Sequence, residues 1–83
     1  MAQGLVKRSV TIAGHRTSIS LEPAFWAALR EAAAEEGRSL NALVAAVDEA
    51  RTTNLSSALR VWLLERALRA AAGTAAQQSF TED

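Results

Sequence analysis

Arg16-Thr17-Ser18-Ile19-Ser20 sets a guanidinium and two hydroxyls on every second residue, with Thr17, Ile19 and Leu21 at the alternate positions. On an extended strand that spacing gives one polar and one apolar face. A guanidinium only donates and a hydroxyl both donates and accepts, so the row offers recognition by hydrogen bonding. Bond-making chemistry has little to work with. The chain has no Cys and a single His, no glycine-rich phosphate loop, and no pair of acids that a cleft could bring together. Glu35-Glu36 and Asp48-Glu49 read as helix-end charges, and His15 as an exposed turn residue. The chain is therefore not expected to be an enzyme, and no catalytic residue, metal site or cofactor is assigned.

The elements that must carry the row follow from punctuation. Pro23 suits the first position of a helix, where its missing N–H is not needed, so Leu21-Glu22-Pro23 is a strand running into a helix. Upstream, Lys7 to Ala13 alternates with the opposite parity: Val10 and Ile12 on one side, Ser9 and Thr11 on the other. Gly14-His15 between them fits a two-residue type II′ turn. That turn sets Ile12 opposite Thr17, Thr11 opposite Ser18 and Val10 opposite Ile19. Val10, Ile12, Thr17 and Ile19 then share one face, and Ser9, Thr11, Ser18 and Ser20 the other.

Three helices follow. The first spans Pro23 to about Glu36, with Phe25, Leu29, Ala32 and Ala33 as its buried stripe, Trp26 beside it, and Gly37 as a left-handed cap. The second opens at the N-cap Ser39 and buries Leu40, Leu43, Val44 and Val47. The third, Leu55 to about Ala72, is capped by Asn54. It carries Leu55, Leu59, Trp62, Leu63 and Arg66 on one side, with Val61, Leu64 and Leu68 widening the apolar zone, a breadth that suggests burial from two directions. Gly73 is read as its end. Residues 1–6 are read as a flexible arm, 7–72 as the domain and 73–83 as a disordered tail.

At 83 residues, with 19 of 41 apolar residues alanine and no Cys, the chain has a small core and no disulfide to reinforce it. Association with a second copy would supply buried surface, so a homodimer is expected. Net charge is zero, but residues 1–21 carry Lys7, Arg8 and Arg16 without an acid, +3, and residues 22–83 carry six arginines against nine acids, −3. The strand end is the positive end. No apolar run approaches the roughly 20 residues that cross a bilayer, and the first residues lack an export pattern. A cytoplasmic protein without membrane contact is expected.

Together, the strand Arg16 to Leu21, Pro23 opening a helix, and Gly37-Arg38-Ser39-Leu40-Asn41-Ala42-Leu43-Val44 opening a second resemble the ribbon-helix-helix family. Lys7 to Ile19 and Thr53-Asn54-Leu55-Ser56-Ser57-Ala58-Leu59-Arg60 are similar to segments of its small bacterial branch. The likeness covers about residues 7 to 68. It implies a mainly α fold with a short N-terminal β ribbon, joined as an intertwined dimer, whose strands lie in the major groove of DNA and act in transcription regulation, as in a repressor. On that resemblance Arg16, Ser18 and Ser20 match the base-contacting positions, and Ser39 and Asn41 the helix start that holds a phosphate; if DNA binds, Lys7 and Arg8 are read from their charge as flanking phosphate contacts. Arginine can donate two bonds to guanine, serine suits several base edges, and a helix N-terminus favours anions.

The chain departs from the family core of one strand and two helices by an extra strand and a third helix. The major groove is about 12 Å wide, and four strands about 4.8 Å apart span roughly 14 Å. If two hairpins join in one flat sheet, either the first strand lies to the side or the polar face serves another partner. The alternative function is accordingly a protein-interaction module, antitoxin-like or adaptor, on the same scaffold.

Overall fold

A computed structural model describes the chain over residues 4–81, with side chains over residues 4–73. Strands β1 (Val6–Ile12) and β2 (His15–Leu21) form a two-stranded antiparallel sheet, followed by helices α1 (Pro23–Glu35), α2 (Leu40–Ala50) and α3 (Leu55–Thr81). The arm assigned to residues 1–6 thus gives way to strand at Val6, while residues 1–3 lie outside the described part. Of the tail assigned to 73–83, the backbone to Thr81 continues α3 and residues 82 and 83 lie outside.

The hairpin has the expected faces but a different register. Ile12 pairs with His15, Thr11 with Arg16, Val10 with Thr17, Ser9 with Ser18, Arg8 with Ile19, Lys7 with Ser20 and Val6 with Leu21. The loop is Ala13-Gly14, with φ of 52° and 83°, the two left-handed residues of a type I′ turn. Gly14-His15 as a type II′ loop is therefore corrected by a slip of two residues. Such a slip preserves parity, so the alternation of faces cannot detect it.

Long-range contacts decide it. In the observed register Val6 lies opposite Leu21, and its carbonyl accepts the Trp26 indole N–H at 2.8 Å. The alternative register would leave Val6 opposite Pro23, which has no N–H to offer. Holding Ala13 at positive φ costs about 1–2 kcal/mol, which the added Val6–Leu21 pair and the indole bond offset.

The helices begin and end where their caps dictate. Pro23 opens α1, and Gly37 (φ 67°) closes it with Gly37 N–H donating to the Ala34 carbonyl and Arg38 N–H to that of Ala33. Ser39 Oγ accepts from Ala42 N–H at 3.0 Å to cap α2, and Asn54 Oδ1 from Ser57 N–H at 2.9 Å to cap α3. α3 runs past Gly73 to Thr81. One interior glycine costs only about 1 kcal/mol, and the alanines on both sides of Gly73 favour helix.

The core joins one face of the hairpin to all three helices: Val10, Ile12, Ile19 and Leu21; Trp26, Leu29, Ala32 and Ala33; Leu43, Val44 and Val47; Leu59 and Leu63. Within α1 the aromatic roles are the reverse of the expected ones. Trp26 is central and 1% exposed, and Phe25 is half-buried at the edge. No polar or charged side chain is buried among the described residues. The helix pack is thus an apolar platform that leaves the other face of the hairpin outward.

Candidate nucleic-acid interface

The register puts Lys7, Ser9, Thr11, Arg16, Ser18 and Ser20 on the face turned away from the helices. Lys7, Ser9, Thr11, Arg16 and Ser18 are exposed and Ser20 is half-buried. Lys7 stands across from Ser20, and Arg16 across from Thr11. Sequence reasoning sorts Ser9 and Thr11 to this face but names only residues of β2 as base contacts; the cross-strand pairing brings both into the same row.

Arg8 is separated from the others. Its alternation turns it to the helix side, where its guanidinium carbon lies 5.7 Å from the centre of the Trp26 ring, within the range of a cation–π contact. Lys7 and Arg16 have no carboxylate within ion-pair distance among the described residues, whereas Arg60 pairs with Glu22 at 3.1 Å and Arg66 with Glu35 at 2.7 Å. The positive charge of the outer hairpin face is therefore not neutralised among the described residues.

The two-residue loop makes Ile12–His15 the closing bonded pair, so Val10–Thr17, Arg8–Ile19 and Val6–Leu21 are the bonded pairs along the ladder. The backbone groups of Arg16, Ser18 and Ser20 then point to the free edge of β2. At its C-terminal end that edge is anchored: the Ser20 carbonyl accepts from Ser56 Oγ at 3.2 Å. Beside it Glu22 meets Arg60. A hydrogen bond from its own backbone and then the Arg60 guanidinium hold the Glu22 carboxyl below the usual carboxylate range. The strand-to-helix corner is thereby fixed to the start of α3.

Ser39 and Asn41 are exposed at the start of α2. With Ser39 Oγ serving Ala42, the N–H groups of Leu40 and Asn41 stay outside the helix's own ladder and are free to face an anion. The arrangement offers two hydrogen-bonding surfaces of suitable sign: a row with unpaired cations and a helix N-terminus.

Compared with known families, residues 5–67 match the ribbon-helix-helix domain. The chain belongs to the ribbon-helix-helix domain family. Such domains are typically DNA-binding regulators or antitoxins. No curated protein and no solved structure matches the chain. This ribbon-helix-helix domain carries its hairpin and third helix as one unit with the family core, since β1 supplies Val10 and Ile12 and α3 supplies Leu59 and Leu63 to a single cluster. No described helix is long and apolar enough to cross a membrane.

Proposed function

We propose that this ribbon-helix-helix domain acts as a homodimeric transcription regulator that binds duplex DNA through the outer face of its hairpin. The observation that carries the reading is the row of Arg16, Ser18 and half-buried Ser20 with Lys7 alongside, its two cations exposed and without an acid in reach among the described residues. Arg16 reads guanine with two donated bonds, and Ser18 and Ser20 bond base edges. The free edge of β2 supplies the pairing edge for a second copy. Two β2 strands then fill a groove about 12 Å wide, and the two β1 strands lie over its walls, since four strands span roughly 14 Å. Lys7 there meets phosphate, as do Ser39 and Asn41 at the start of α2. Arg8 contributes by steadying Trp26, and reaches phosphate only from the rim.

Binding to a random-sequence duplex at low and moderate salt tests this. A groove binder loses affinity steeply with salt because it displaces condensed counterions, and Arg16→Ala weakens it further. Indifference to both would sink the reading and favour the protein-interaction module, for which the neutral net charge speaks.

A further inference from the structure

We infer that the outer face of α3, together with the groove beside it, is where the second copy of this chain docks. The inference rests on the homodimer of the proposed function and assigns a face to it. α3 carries two apolar sides. Leu59 and Leu63 are buried against the domain, while Val61, Leu64 and Leu68 are 50%, 57% and 59% exposed. At about 100° per residue these two sets lie on roughly opposite sides of the helix, and the spacing of three and four is that of a helix-packing seam.

An open groove of about 450 Å³ runs between α1 and α3, with Ala24, Phe25 and Ala28 on one wall and Val61 and Leu64 on the other. Ridge and groove therefore lie side by side on one surface. A contact about a two-fold axis requires one patch to be complementary to itself, and a ridge of leucines next to a groove walled by alanines meets that requirement. A second copy enters with Leu64 and Leu68 in the first copy's groove and accepts the first copy's leucines in return.

Charge favours the same occupant. Arg60 stands on one margin of the ridge, at the groove, and Glu65 on the other. When two such helices run in the same direction, opposite margins meet, so Arg60 of each copy faces Glu65 of the other. Arg60 is held beside Glu22 in its own chain at 3.1 Å and has further guanidinium donors to offer.

Sedimentation equilibrium in the absence of DNA, on the full chain and on Leu64→Glu, is the test. The wild type is expected to be dimeric at micromolar concentration. Leu64→Glu, a change at an exposed position, keeps its helical circular dichroism. It raises the dimer dissociation constant on the order of 100-fold, because it sets like charge in an apolar seam. The chain has no Cys, so Leu68→Cys supplies a second readout: under mild oxidation it forms a disulfide-linked dimer faster than Ala34→Cys, placed on the exposed side of α1 away from the groove. A monomeric wild type would overturn both the dimer and the face. A dimer unaffected by Leu64→Glu, or Leu68→Cys linking no faster than Ala34→Cys, would overturn the face alone and leave the DNA-binding reading standing on its own assay.

Discussion

Four arginines on the helices and the two cations on the outer face of the hairpin sit in opposite circumstances. On the helical side Arg38, Arg51, Arg60 and Arg66 each lie within 2.7 to 3.1 Å of a carboxylate. On the outer face of the hairpin, Arg16 and Lys7 are exposed with no acid in reach among the described residues. A zero net charge therefore conceals a polarised molecule. On the helical side two of the arginines tie elements together, Arg60 joining α3 to Glu22 and Arg66 joining it to Glu35 and Glu36 at the end of α1. The hairpin face holds its cations out, which makes physical sense when a polyanion is to neutralise them.

Breaking the joint between the two regions has the largest expected effect. Trp26 fills the core, donates to the Val6 carbonyl and lies under Arg8. Trp26→Ala should lose about 3–5 kcal/mol of stability, as large-to-small core changes do. Urea unfolding measures it, and a loss under about 1 kcal/mol would mean that the hairpin is not anchored there. Arg16 and Arg66 sharpen the contrast. Arg16→Ala should weaken duplex binding by about 1–3 kcal/mol with an unchanged melting temperature. Arg66→Ala should leave binding unchanged and lower stability only slightly, since its partners are exposed. Equal effects of the two on both assays would erase the distinction drawn between the regions.

A smaller change concerns the turn. Ala13→Gly relieves the positive φ of 52° and should stabilise the chain by about 0.5–1 kcal/mol, less the entropy that glycine adds to the unfolded chain. No gain in melting temperature would count against the type I′ loop.

The least effect concerns an acid. The Glu22 carboxyl lies below its ordinary value when folded. Its contribution is present above the unfolded value and fades as pH falls through the folded one. Glu22→Gln should therefore lower the melting temperature slightly at neutral pH, and its profile should converge with that of the wild type in acid, as pH falls below the ordinary carboxylate range.

Much of this organisation was legible beforehand because it is local. Pro23, Gly37, Ser39 and Asn54 each act on backbone groups within a few residues, so they mark helix ends from the sequence alone. Strand parity likewise assigned Ser9, Thr11, Ser18 and Ser20 to one face. What parity could not do was choose between registers two residues apart. Nor could the periodicity of α1 tell which of two adjacent aromatics would be central, since Phe25 and Trp26 both border the stripe of Leu29, Ala32 and Ala33. Gly73 misled because a helix stop needs a left-handed glycine and a partner for it, and a glycine among alanines can simply be passed through.

The sequence by itself determined the order of elements, their caps and the two-faced character of strand and helix, all set by interactions across a few residues. Only the tertiary structure decided the hairpin register, the central place of Trp26 and the seating of the Arg8 guanidinium over its ring. Each of these depends on groups far apart along the chain meeting in the core, such as the Trp26 indole and the Val6 carbonyl 20 positions away. Local spacing carries no record of which distant partner will be there.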